Sequence, residues 1–178
     1  NSFSVDARTS KIGIGNKEGD KPADDSQVSF NASVISDDRK AGGYMYGLLR
    51  NKDPYDENGD GFSESVLIEN STFGFSSFYK TGIRSKITLD GYRVSEFRRG
   101  GDMFDYLPQA TNITEQISHL ITGGNMAFDL FFENSNKLML FAAVQTVDRD
   151  TYYGAEQDSD AFGHTDDLTS SVGAPFVM

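Results

Sequence analysis

Between β-like segments the chain carries Asp56-Glu57-Asn58-Gly59-Asp60-Gly61-Phe62-Ser63-Glu64. Side-chain oxygens stand at alternate positions, on Asp56, Asn58 and Asp60, and a glycine follows at the sixth place. A hard cation needs this arrangement, because oxygens two residues apart converge only if the backbone then turns sharply. The Phe62 carbonyl supplies a fourth ligand, and Glu64 is the carboxylate that closes the set. Asp53 and the more distant Glu69 are the remaining acids within reach of such a loop.

The spacing resembles the Asp-x-Asn-x-Asp-Gly loops of EF-hand, dockerin and thrombospondin-type calcium sites, over Asp56–Glu64 and no further. It departs from the EF-hand at the twelfth position, where Leu67 replaces the bidentate Glu, and no helix is expected on either side. The resemblance therefore implies a Ca²⁺ turn that ties down a loop, not a sensor that opens. The competing reading is a plain hydrophilic turn, since Asn-Gly and Asp-Gly are also common turn dipeptides.

Other chemistry is sparser. Asp148, Asp150, Asp158 and Asp160 offer a second acidic group without a set spacing, and His164 lies close to Asp160, Asp166 and Asp167. His119 is expected as a half-buried structural histidine. Tyr44, Tyr46, Phe73, Phe75, Phe78 and Tyr79 form either a platform for stacking sugars or one face of a core, and alternation favours the core. Asn31, Asn70 and Asn112 open glycosylation sequons, a number that chance supplies. No nucleophile elbow, zinc-protease motif or phosphate-binding loop occurs. The chain has no cysteine, which excludes disulfides and thiolate chemistry. No catalytic residues are expected, and the chain is read as a non-enzyme.

The elements that must position these residues are mostly strands. Alternating patterns run through Ser2–Ala7, Gln27–Ser36, Gly43–Arg50, Ser65–Asn70 and Ser71–Tyr79. Two more, Ile83–Leu89 and Tyr92–Arg98, flank Asp90-Gly91, a hairpin signal. Met126–Phe132 and Leu138–Val147 are the most apolar. A helix is expected over 112–122, with Asn112 as N-cap, Glu115 completing a capping box, and Ile113, Ile117, Leu120 and Ile121 on one face. The expected fold is mainly β, an antiparallel jelly-roll-like sandwich spanning 1–147 with the calcium-type loop at 53–64. Residues 148–178 are read as an acidic loop or tail of the same domain, with one last strand.

Composition narrows the class. With 178 residues, 14 Phe and 8 Tyr the chain is long and apolar enough to fold. Its formal charge of −11 repels phosphate backbones, so nucleic acid is not an expected partner. No apolar run reaches the length of a transmembrane helix. The expectation is a secreted or cell-surface structural or adhesive domain, such as a filament, adhesin, surface-layer or virion subunit, stabilised by calcium. Its partners would be other subunits, including copies of itself, with strand addition at Ser2–Ala7 as one route; the competing reading of that stretch, the favoured one, is a terminal strand within its own sheet. The alternative is a carbohydrate-binding module for surface glycans.

Overall fold

The computed structural model describes residues 1–19, 21–133 and 135–177. It is one antiparallel sheet in which every strand lies beside its sequence neighbours. The strands are β1 (Ser2–Ile12), β2 (Ala23–Ile35), β3 (Ala41–Lys52), β4 (Leu67–Gly82), β5 (Ser85–Gly101), β6 (Ile113–Phe131), β7 (Lys137–Ala155) and β8 (Phe162–Gly173). A short β9 (Phe176–Val177) resumes the edge beside β7 after Pro175, which has no N–H to donate. Apart from β9 beside β7, only sequence-adjacent strands approach one another, so the described residues make a single layer. No second sheet packs on it, and the jelly-roll sandwich expected from the sequence is not formed by them.

The expected helix over 112–122 is corrected to strand: these residues are the start of β6. Ile113, Ile117 and Ile121 share parity as well as helical spacing, so period two fits them equally. Their β-branching, with Thr114 and Thr122, favours the pleated form. Asn112 caps nothing helical; its Nδ2 donates to Asp102 Oδ2 at 2.6 Å. The only helical turn among the described residues is a 3₁₀ turn at Pro108–Ala110.

Asp90-Gly91 is likewise not a turn. Both residues lie inside β5, and the chain reverses instead at Ile83-Arg84. Gly91 is needed for another reason: the Phe75 ring lies where its side chain would be. Residues 148–155, read from their charge as the start of a loop, extend β7, and 162–173 form β8. The expected link Glu133–Asn136 includes Asn134, which lies outside the described residues, as does Met178.

Register shows what the two faces carry, since paired residues project to the same side. One row runs Phe3, Ala32, Met45, Phe75, Gly91, Gly124 and Val144 from β1 to β7. Next to it on the same face lie Val5 and Phe30 at one end, and Leu89, Met126, Ala142 and Val172 at the other. This apolar face has no cover: Phe3 is 71%, Met126 56% and Val172 83% exposed. Among the described residues the buried apolar side chains are few, namely Ala23, Tyr55, Pro108 and Tyr152, too few to make a core for the sheet.

The apolar band crosses the strands obliquely. The row through Ala7, Val28 and Leu49 is apolar on β1 to β3, yet reaches Asp148 on β7 and Asp166 on β8. The row through Ala41, Tyr79, Ile87, Phe128 and Leu140 is apolar on β3 to β7 and has no counterpart in β1. On β3 from Ala41 to Leu49 and on β7 from Leu138 to Val144 no charged residue faces this side, whereas on β5 between them Arg93, opposite Phe73 and Thr122, does. Ala41 to Leu49 covers about 30 Å of strand at about 3.4 Å per residue.

The opposite face is polar. One row there reads Arg8, Gln27, Arg50, Asn70, Glu96, His119 and Arg149. Arg50 grips Asp25 through Nε at 3.0 Å and Nη2 at 2.7 Å, which holds the Asp25 carboxyl below its ordinary pKa. Asn70 donates to Glu96 at 3.0 Å, and Arg98 pairs with the same carboxylate at 2.7 Å. Asp129 is buried between Lys137 at 2.8 Å and Lys86 at 3.4 Å.

The connections are unequal. Residues 13–22, 53–66, 102–112 and 156–161 all lie at one end of the sheet, whereas 36–40, 83–84 and 132–136 make short turns at the other. The long-loop end is rich in acids, among them Glu18, Asp53, Asp56, Glu57, Asp60, Glu64, Asp102, Asp105, Glu156, Asp158 and Asp160.

Candidate functional site

The acidic loop projects from this end, between β3 and β4. A two-residue bridge pinches it closed: Tyr55 and Ser65 exchange backbone hydrogen bonds of 2.9 and 3.0 Å. Inside the pinch, Asp56 is buried and accepts three backbone N–H groups. Its Oδ1 takes those of Asn58 at 3.1 Å and Gly59 at 2.6 Å, and its Oδ2 takes that of Gly61 at 2.7 Å. Burial by itself would raise the Asp56 pKa, but the N–H groups, Gly61 foremost, outweigh it and hold the carboxyl ionised.

The rest of the loop follows the same logic. Asn58 Oδ1 accepts the Asp60 N–H at 3.0 Å, and Asp60 Oδ1 accepts the Phe62 N–H at 2.9 Å. Gly59 and Gly61 take φ of 74° and 92°, conformations that glycine alone adopts freely. Glu64 reaches back to accept the Glu57 N–H at 2.7 Å. Carboxylate oxygens of Asp56, Asp60 and Glu64 thereby come within 4.8 Å of one another. Among the described residues no Lys or Arg forms an ion pair with any of the three. A cluster of this kind could hold a metal ion.

Of the residues the sequence singled out as ligands, Asp56, Asp60 and Glu64 are gathered in one cluster. Asp56, Asn58, Asp60 and Glu64 sit in one tight loop with Phe62 between the last two. Asp53 instead ties β2 to β3, donating its N–H to the Asp24 carbonyl at 2.8 Å. Glu69 lies on β4, outside the loop. Sequence reasoning missed that a second loop docks here. Asn16 Nδ2 donates to the Tyr55 hydroxyl at 2.9 Å and to the Glu57 carbonyl. Gly19 packs against the carbonyls of Asp56 and Glu57, and Gly59 against that of Glu18. No spacing rule signals a contact between loops so far apart in the chain.

A second cluster forms on β7 and β8, but not from the expected set. Asp148, His164 and Asp166 can offer one ligand atom each within 4.8 Å. Asp158 and Asp160 lie in the connecting turn, where the Asp160 N–H donates to Asp158 Oδ1 at 2.8 Å. His164 contacts Asp150 through Nδ1 at 2.7 Å and Asp166 through Nε2 at 3.1 Å. Asp150 first, then Asp166, raise its pKa from 6.5 to about 9. A raised histidine pKa stabilises the fold fully below about 6.5, and that contribution is lost as pH rises through about 9. The urea midpoint should therefore fall between pH 6.5 and 9.5, and His164→Gln should flatten this slope. An unchanged slope in the variant would refute the assignment.

His119 lies half-buried on the polar face, where the Arg149 Nε donates to its Nδ1 at 3.1 Å. Burial, then the Arg149 charge, lower its pKa and favour the neutral ring. On β5, Lys86 and Arg98 are paired as above, and Arg99 is buried beneath the Phe104 ring, 5.4 Å from its centroid. No described helix is long and apolar enough to cross a membrane. No protein-family model matches this chain, and neither a curated protein nor a solved structure matches it.

Proposed function

We propose that this chain is a section of the wall of a membrane-spanning β-barrel. The apolar band on one face contacts acyl chains, and the polar face borders an aqueous lumen. The acidic loops stand on one side, tied down by Ca²⁺ held by Asp56, Asn58, Asp60, the Phe62 carbonyl and Glu64. The observation that carries the reading is the bare apolar band on a one-layer sheet that has no core. In water such a band is a liability; in lipid it is the solvent-facing surface.

Three features support it. Barrel strands tilt by about 35–45° from the axis, so a horizontal hydrocarbon layer meets them as an oblique band. The band's length along a strand suits a hydrocarbon core about 30 Å thick or less. Short turns at one end and long loops at the other repeat the usual asymmetry of such barrels. The unpaired edges of β1 and β8 are the seams at which further strands close the wall. Strand addition at Ser2–Ala7, expected from the sequence, becomes one of these seams.

Flotation tests the reading. The chain, refolded with phosphatidylcholine vesicles, should rise with the lipid through a density gradient and show a strand-type circular dichroism spectrum. A folded, strand-rich chain that stays at the bottom of the gradient sinks the proposal.

A further inference from the structure

The polar face bears aromatic rings in a place where charge and water dominate. On one transverse row Asn31, Tyr46, Gly74, Tyr92, Gly123 and Gln145 stand side by side from β2 to β7. The Tyr46 ring occupies the space a side chain at Gly74 would fill, and the Tyr92 ring does the same at Gly123. Each tyrosine is therefore laid across the sheet instead of standing up from it. Tyr44 stacks on Tyr46, with centroids 5.9 Å apart and an interplanar angle of 29°. Tyr44 and Tyr46 remain 45% and 37% exposed.

Beside Tyr92, whose hydroxyl donates to Gln145 Oε1 at 2.8 Å, lies a depression of about 210 Å³. Its polar-face lining includes Asn125, Gln145, Thr169 and Ser171. The nearby guanidinium groups are already matched, Arg50 by Asp25 and Arg98 by Glu96. What remains for a ligand is a row of flat aromatic surfaces flanked by neutral amides and hydroxyls and by one carboxylate, Asp90, which stands beside Asn125.

We propose that Tyr44, Tyr46 and Tyr92 form a stacking track for a neutral oligosaccharide, with the depression beside Tyr92 holding one sugar unit. Pyranose rings present C–H groups on their faces and hydroxyls at their rims. A ring laid flat receives the first, and amide and hydroxyl side chains receive the second. Tyr46 and Tyr92 are two strands apart, about 10 Å, a gap that consecutive sugar units bridge. An anionic ligand is disfavoured because Arg50 and Arg98 are held by carboxylates and Asp90 stands beside the depression. The inference rests on the polar face being open to water, as the barrel reading has it.

Titration of the full chain in detergent micelles with maltohexaose and cellohexaose tests it. The chain has no Trp, so intrinsic fluorescence reports tyrosine directly. At least one hexaose should quench it saturably. Tyr46→Ala and Tyr92→Ala should each weaken binding about tenfold, whereas Tyr92→Phe, which keeps the ring, should stay within about threefold. Circular dichroism identifies any variant that fails to fold, and the wild-type titration with Tyr92→Phe then decides alone. The track is overturned if neither hexaose binds, or if the folded alanine variants bind as tightly as the wild type. Those results leave lipid flotation untouched, and failure of flotation leaves the titration untouched.

Discussion

Met126→Arg should destabilise the folded chain in lipid vesicles by about 2–4 kcal/mol, while Asn125→Arg next to it changes stability by about 0.5 kcal/mol or less. The two residues are neighbours on β6 and differ in the face they occupy. Met126 pairs with Leu89 and Ala142 in the apolar band; Asn125 pairs with Asp90 and Ala143 on the polar side. A guanidinium at Met126 must either enter hydrocarbon or drag water to it. At Asn125 it meets a carboxylate and solvent. Urea titrations in vesicles measure both, and equal losses would show that neither face meets lipid.

The second large effect concerns the acidic loop. Asp56→Ala should weaken Ca²⁺ binding at least about 100-fold, since altering even the outer partners of metal ligands costs 10–100-fold. Calcium should raise the melting temperature of the wild type and leave that of the variant unmoved. The effect should also spread to residues 13–22. Asp56 gathers the N–H groups of Asn58, Gly59 and Gly61, and these place Gly59 against Glu18 and the Glu57 carbonyl beneath Asn16. Hydrogen exchange should therefore quicken in both loops of Asp56→Ala and in neither loop of Glu57→Ala. Calorimetry showing no heat with Ca²⁺ for the wild type would remove the metal from the account.

The loop was legible in the sequence because its geometry is local. Alternating oxygens and two glycines dictate the turn whatever surrounds them, and the structure gathers the named side chains. The strands were legible for the same reason, since Phe3 and Val5 or Val28 and Phe30 alternate openly. What could not be read was which medium lies against each face. Alternation says that one side is apolar; it does not distinguish a second sheet from a hydrocarbon phase, so a sandwich was the default.

The errors cluster above the band. There β6 places Ile113, Ile117 and Ile121 on the otherwise polar side, and β7 carries Asp148 and Asp150 on the other. With the usual pattern broken, one stretch resembled a helix and another a tail. Asp90-Gly91 misled because a turn dipeptide was serving a different need, room for the Phe75 ring.

The unequal ends of the sheet bear on how it can enter a membrane. Dragging Asp53, Asp56, Glu57, Asp60 and Glu64 through hydrocarbon would mean neutralising or dehydrating each of them, and the long loops carry fourteen charged residues in all against six in the short turns, Asp37, Asp38, Arg39, Lys40, Arg84 and Glu133. In the barrel reading the compact turns therefore lead and the carboxylate-laden loops trail. Every copy would come to rest facing the same way, its direction set by solvation and not by a separate guide.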